Sequence, residues 1–204
     1  MVHEQLMMRG IVDHRVLLTM GAMPRELFVP LEYRAYAYED GPLPIGAEQT
    51  ISQPFIVALM TEALHLKGDE NVLEVGAGSG YQTAILARLA KQVWSIEKQA
   101  GLAARARETI RGLGLSNVEI TVGDGSLGWP QHAPYEAIIV TAASPELPTP
   151  LVEQLKPGGR IVIPLGSRYE QELECWQQRG EAWHIERLSA VKFVPLVGVW
   201  GWDE

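Results

Sequence analysis

Between residues 71 and 164, short β-branched runs alternate with helical ones, and this alternation constrains the fold more than any other feature of the chain. Asn71–Val75 reads as a strand, Tyr81–Ala90 as a helix, Val93–Glu97 as a strand, and Gln99–Leu113 as a helix stopped by Gly114. Val118–Val122 and Ala137–Thr141 follow as strands, Leu147–Leu155 as a helix and Arg160–Pro164 as a strand. Such alternation implies βαβ units and a parallel sheet with helices on both faces. The end differs: Glu172–Gln177 and Trp183–Val194 are strands with Gly180 between them and no helix, an antiparallel hairpin at one edge. Before the sheet, residues 2–20 read as a helix. Residues 21–50, with Pro24, Pro30, Pro42 and Pro44, read as loop with short helical turns, and residues 54–66 as a helix with Pro54 first. The expectation is an α/β fold: a doubly wound, mostly parallel, Rossmann-like sheet over residues 67–204 with an antiparallel C-terminal hairpin. Residues 1–66 form an N-terminal helical appendage on the same compact unit.

Composition narrows the partners. The 204 residues suit one domain, and 47% hydrophobic with 21% charged residues excludes a disordered chain. Seventeen Lys and Arg against 25 Asp and Glu leave a net charge of −8, which repels phosphate backbones and argues against nucleic acid. Cys175 is the single cysteine, so internal disulfides and paired-cysteine zinc sites are excluded, and no two of the five histidines have the i, i+4 spacing of a helical metal pair. No bound metal is expected. No segment has the roughly 18 apolar residues of a membrane span, and Arg9, Asp13, His14 and Arg15 interrupt any signal-like N-terminal run. A cytoplasmic protein without membrane association is expected. The absence of heptads favours a monomer.

The sharpest local motif is Val72-Leu73-Glu74-Val75-Gly76-Ala77-Gly78-Ser79-Gly80-Tyr81, a strand that ends in three alternate glycines and runs into a helix. Glycines belong where the chain turns tightly and where a ligand must touch backbone. The spacing is G-x-G-x-G, not the G-x-G-x-x-G of dinucleotide folds, and a tight turn that binds nothing would look the same. Two further features sit at the ends of successive strands. Glu97 follows Gly76 by 21 residues, where a carboxylate accepts both hydroxyls of a ribose diol, although a surface helix cap would read alike. Gly123-Asp124-Gly125 follows the next strand, where the aspartate is able to accept from an exocyclic amine or to make an ordinary Asp-Gly turn. Together the three describe a crevice for an adenosine-type ligand at the carboxyl edge of the sheet.

In these features the chain resembles the class I S-adenosylmethionine-dependent methyltransferases and, among them, the protein-L-isoaspartate O-methyltransferase family. The resemblance covers essentially the whole chain. It runs through Met23–Pro30, Tyr38-Glu39-Asp40, Gln49–Pro54, Val72–Ala87, Ala133–Ala142, Leu155–Arg160 and Phe193–Leu196. The Thr50-Ile51-Ser52-Gln53-Pro54 segment is its most specific part. The resemblance implies S-adenosyl-L-methionine as cofactor and S-adenosyl-L-homocysteine as product, with no metal. It implies that Glu74, Gly76, Gly78 and Gly80 surround the methionine part, that Glu97 binds the ribose, and that Asp124 and Gly125 form the adenine site. Ser52 matches the family's active-site serine, Thr50 lines the same pocket as a cofactor contact, and Leu196 and Val197 lie over the substrate. Ala47-Glu48 stands where the family commonly has small residues, often glycine.

The implied reaction is methyl transfer to the free α-carboxylate of L-isoaspartyl residues in damaged proteins and peptides, the start of their repair. Such a carboxylate has a pKa near about 4, so no general base is needed. Ser52 would donate a hydrogen bond that holds it. From local sequence, Ser52 reads equally well as the cap of the helix after Pro54. Another class I methyltransferase, acting on a small molecule or RNA, is the alternative. Thr141-Ala142-Ala143-Ser144-Pro145 after the fourth strand lacks the Asn/Asp-Pro-Pro-aromatic motif of base N-methylation. A non-catalytic cofactor-binding module would show decay of Thr50–Pro54, which is intact.

Overall fold

The computed structural model describes residues 1–180 and 182–203. Its centre is a seven-stranded sheet built from β3 (Asn71–Val75), β4 (Gln92–Glu97), β5 (Val118–Val122), β6 (Tyr135–Val140), β7 (Leu155–Gly166), β8 (Gln171–Arg179) and β9 (Ala182–Val191). Their order is β5-β4-β3-β6-β7-β8-β9. The first five are parallel, and β8 and β9 are antiparallel additions at one edge. The chain runs outward from β3 to β5 and then returns to the other side of β3 with β6. The β3–β6 pair is therefore the topological switch point, where an open α/β sheet leaves a crevice at its carboxyl ends. The doubly wound sheet with its antiparallel edge is the one expected.

Two buried layers flank the sheet. Val72, Val93, Ala137 and Val162 face one core, and Leu73, Val75, Ile138, Val140 and Ile161 face the other. The first is covered by α1 (His14–Ala22), α2 (Pro54–Ala63), α3 (Tyr81–Leu89) and α4 (Ala100–Gly112), the second by α5 (Thr149–Glu153) and the C-terminal segment. Leu6, Ile11, Val16 and Met20 from the N-terminal segment join the same cluster as Val72, Tyr81 and Ala84. Among the described residues no helix is long and apolar enough to cross a membrane.

The N-terminal region departs from the sequence reading. Residues 2–20 are not one helix: a short helical segment, Val2–Arg9, ends at Gly10 with φ 98°. A new helix, α1, starts after Asp13, whose carboxylate accepts from the Arg15 and Val16 N–H groups, a side-chain cap that the apolar stripe concealed. Residues 21–50 hold short 3-10 turns as expected, but also β1 (Leu43–Gly46), paired antiparallel with β2 (Gln49–Ile51). The prolines hid this hairpin. At the other end, the helix read over 147–155 shrinks to Thr149–Glu153 and β7 begins at Leu155.

The β1–β2 turn carries strain. Ala47 and Glu48 have φ 52° and 58°, a conformation that costs an L-residue roughly 1–2 kcal/mol and that hairpin turns normally give to Asn and Gly. Glu48 is exposed and does not line the cleft described below, so its carboxylate points away from it. Glu48→Gly is expected to stabilise the protein by about 1 kcal/mol and to raise the melting temperature by about 2–4 °C. An unchanged or lower midpoint in thermal denaturation would refute this account of the turn.

Candidate active site

The carboxyl ends of β3, β4 and β6 open into a cleft enclosing about 970 Å³, including its mouth. Four stretches meet there: the glycine loop after β3, the turn after β4, the Gln49–Ser52 strand and turn, and the C-terminal segment from Val194 to Val197. Gly76 N–H donates to the Ile96 carbonyl at 2.7 Å, which hangs the glycine loop on the end of β4. Gly76 has φ 97°, and a Cβ there would collide with the Thr141 hydroxyl, which itself donates to the Gly76 carbonyl at 2.6 Å. The loop and the end of β6 thus touch without space for a side chain between them.

Glu97 is placed at the cleft with both oxygens anchored. Oε2 accepts from Gly78 N–H at 2.7 Å and Oε1 from Gln99 N–H at 2.8 Å. A carboxylate has about four lone-pair sites, so each oxygen retains capacity for a ligand hydroxyl. The chemistry and position fit a ribose diol.

Among the sequence-predicted residues, Thr50, Ser52, Gly76, Gly78, Glu97, Gly125, Leu196 and Val197 line this one cleft. Glu74, Gly80 and Asp124 do not. Glu74 is fully buried on the helix side of β3, because side chains alternate along a strand and Val75 takes the cleft-facing place. Its Oε2 accepts from the hydroxyls of Thr83 and Ser95, each at 2.5 Å, and Oε1 has no partner. Burial pushes its pKa up to about 7; the two hydroxyl bonds oppose the rise and the Glu97 charge adds to it. Gly80 caps α3 with φ 88°, and a Cβ there would press on Ala106 of α4 at 3.2 Å, so this glycine serves helix packing.

Asp124 is turned to the chain itself. Oδ1 accepts from Ser126 N–H at 2.9 Å and from its hydroxyl at 2.7 Å, and Oδ2 accepts from Val199 N–H at 2.8 Å. Burial alone would raise its pKa. The bonds from Ser126 and Val199, with the Lys98 charge, outweigh that and hold it below the ordinary value. The Ser126 hydroxyl in turn accepts from Trp200 N–H at 3.0 Å, so Asp124 and Ser126 fasten the C-terminal segment. Leu196 N–H donates to the Ala143 carbonyl at 2.7 Å, which brings Leu196 and Val197 over the cleft.

Ser52 is half-buried, and its hydroxyl makes no hydrogen bond among the described residues. The N-cap of α2 is Gln53, without a side-chain cap bond, so the capping role that the local sequence allowed for Ser52 is not seen. The sequence reading did not assign Tyr81, Gln82, Gln99 or Thr141 to the site, although all four line the cleft. Thr141 and Gln99 were traceable, since each closely follows a strand that ends at the crevice. Tyr81 and Gln82 carry no such signal, because they read as the first turn of a helix.

Comparison with known proteins agrees with this geometry. The family model for protein-L-isoaspartate(D-aspartate) O-methyltransferase matches residues 1–200. A protein-L-isoaspartate O-methyltransferase of Syntrophobacter fumaroxidans is 52% identical over 203 residues, covering all of this chain and 95% of its own length. One of Dictyoglomus turgidum is 55% identical over 201 residues, covering 98% and 91%. A solved protein-L-isoaspartate O-methyltransferase superposes with TM-score 0.86 at 29% identity, covering 98% of this chain and 67% of that one. A Plasmodium falciparum protein of the same type, solved in complex with S-adenosyl-L-homocysteine, gives TM-score 0.81 at 26% identity, covering 96% of both chains. With the family model matched over nearly its full length and relatives more than half identical throughout, the chain belongs to the protein-L-isoaspartate(D-aspartate) O-methyltransferase family.

Proposed function

We infer that this protein transfers a methyl group from S-adenosyl-L-methionine to the α-carboxylate of L-isoaspartyl residues in proteins and peptides. The observation that carries the reading is the meeting, in one cleft of a chain from this family, of the Glu97 carboxylate beside the glycine loop with a free Ser52 hydroxyl. The family neighbour from Plasmodium falciparum holds S-adenosyl-L-homocysteine, and Glu97 provides the acceptor that its ribose needs.

The cofactor supplies an electrophilic methyl group on a sulfonium sulfur. The acceptor carboxylate forms the new O–C bond as the C–S bond breaks. The carboxylate is already ionised at neutral pH, so no proton has to be removed and no base is required. Among the described residues no histidine lines the cleft, and the charged lining residues are Glu97 and Lys98. What this chain contributes is alignment and a dry site. In this reading Ser52 donates from its hydroxyl to one acceptor oxygen and holds the other oxygen in line. Leu196 and Val197 cover the site, and Thr50 and Gly125 bound the cofactor. A small-molecule or RNA methyltransferase would need another acceptor pocket, and the net charge of −8 opposes RNA.

The test is incubation of the protein with labelled S-adenosyl-L-methionine and an isoaspartyl peptide beside its aspartyl twin. Base-labile label on the first alone is the expected result. Label on both peptides, or label that survives base, overturns the reading. Ser52→Ala is expected to lower kcat/KM for the isoaspartyl peptide by about tenfold, the value of one hydrogen bond to a charged group, with cofactor affinity and melting temperature near wild type. Normal turnover in Ser52→Ala would leave the carboxylate held by backbone groups alone.

A further inference from the structure

A guanidinium removed from water ordinarily has a carboxylate beside it, because burying an uncompensated charge is expensive. Arg25 departs from that rule. It lies in the 3-10 turn Arg25–Phe28 with 0% of its surface exposed. Nε donates to the Ala37 carbonyl and Nη2 to the Ser52 carbonyl, both at 2.7 Å. The guanidinium carbon sits over the face of Tyr81, 4.7 Å from the ring centre. The Tyr81 hydroxyl is close enough to act on the guanidinium, but neither it nor Nη1 makes a hydrogen bond of ordinary geometry among the described residues. Among the described residues no carboxylate forms an ion pair with Arg25, and the Tyr38 hydroxyl donates to Glu26.

Ser52 and Tyr81 line the cleft, and Arg25 stands behind them. Its charge is therefore held one carbonyl away from Ser52, at the cleft wall, without a carboxylate partner among the described residues. A charge in such low-dielectric surroundings acts over several ångströms far more strongly than it would in water. An arginine stays protonated even where burial lowers its pKa, as it does here.

We propose that Arg25 is a positioning residue for the methyl acceptor: it fixes the Ser52 turn through the Ser52 carbonyl, and its guanidinium makes that end of the cleft selective for an anion. This rests on the carboxylate-methyltransferase reading above. It adds a source for the preference between a carboxylate and an isosteric neutral group, a preference that one serine hydroxyl does not provide.

The experiment compares the protein loaded with S-adenosyl-L-homocysteine in calorimetric titrations with two peptides, one isoaspartyl and one carrying the α-carboxamide at the same residue. Wild type is expected to favour the carboxylate. In Arg25→Gln, which keeps an amide donor for one carbonyl but no charge, that preference is expected to shrink about tenfold, while affinity for S-adenosyl-L-homocysteine stays within about twofold. Arg25→Lys is expected to retain it. A purely structural role would weaken both peptides alike and leave the ratio unmoved, so an unchanged ratio in folded Arg25→Gln overturns the proposal. Should Arg25→Gln fail to fold, ¹³C NMR on the wild-type complex decides. The bound α-carboxylate is expected to titrate about one pH unit below the free peptide, which is the same tenfold factor, and an unshifted or raised value overturns the proposal. Wild-type protein that esterifies the isoaspartyl peptide while Arg25→Gln keeps the full preference removes the role of Arg25 alone. Wild-type protein that esterifies no isoaspartyl carboxylate removes both readings.

Discussion

Glu97→Ala is expected to weaken binding of S-adenosyl-L-methionine by roughly 10- to 100-fold, the equivalent of about 1.5–3 kcal/mol from hydrogen bonds to a charged acceptor. Two losses combine in this figure. The ribose hydroxyls lose their acceptor, and Gly78 and Gln99 lose the carboxylate that ties their N–H groups to the end of β4. Glu97→Gln separates them. It retains one acceptor oxygen but turns an NH₂ towards one of the two backbone donors, so it too should bind poorly. Calorimetry with circular dichroism as a control for folding makes the measurement. Unchanged affinity in a folded Glu97→Ala protein would mean that the ribose lies elsewhere.

The second large effect concerns stability and belongs to Glu74. Its folded pKa of about 7 lies above the ordinary 4.5, so the folded protein retains a proton that the unfolded chain releases as pH rises from about 4.5 to 7. The stability contribution of this group is present in full below the unfolded value and is lost as pH rises through the folded one. At one pKa unit per 1.36 kcal/mol, the loss comes to about 3 kcal/mol by pH 8. Glu74→Gln has no charge to bury, and its carbonyl still accepts from Thr83 and Ser95. Its stability should therefore gain on wild type by about 2.5 kcal/mol between pH 5 and pH 8. Urea midpoints of both proteins across that range give the difference directly, and the other carboxylates cancel. Parallel curves would show that Glu74 is not the titrating group.

The sheet was legible because parallel strands buried on both faces read as near-continuous apolar runs, and the first two end in a glycine and an acid at the crevice. The position of Glu97 followed from the same regularity. The residues that the structure sets outside the cleft lining lie there for local reasons. Glu74 belongs to the glycine motif in sequence, but strand alternation turns it away from the cleft. Asp124 sits at the expected strand end, and its side chain is turned to Ser126 and to Val199, 75 residues on, a contact that no short motif announces. Arg25 was invisible as a functional residue because exposed and buried arginines look alike in a sequence. The hairpin at residues 43–51 was masked by two prolines in short edge strands, where a missing N–H costs little.

The glycine loop has one more consequence, for the company this cleft keeps in a living cell. Gly76 and Ala77 give their N–H groups to the Ile96 carbonyl, Gly78 gives its own to Glu97, and Gly80 gives its own to the Ala77 carbonyl. A phosphate is normally welcomed at such a turn by several free amides at once. Here a triphosphate tail would meet four amides already committed and an acid standing among them. The same hydrogen bonds that stiffen the turn thus leave none of these four amides free to cradle a phosphate.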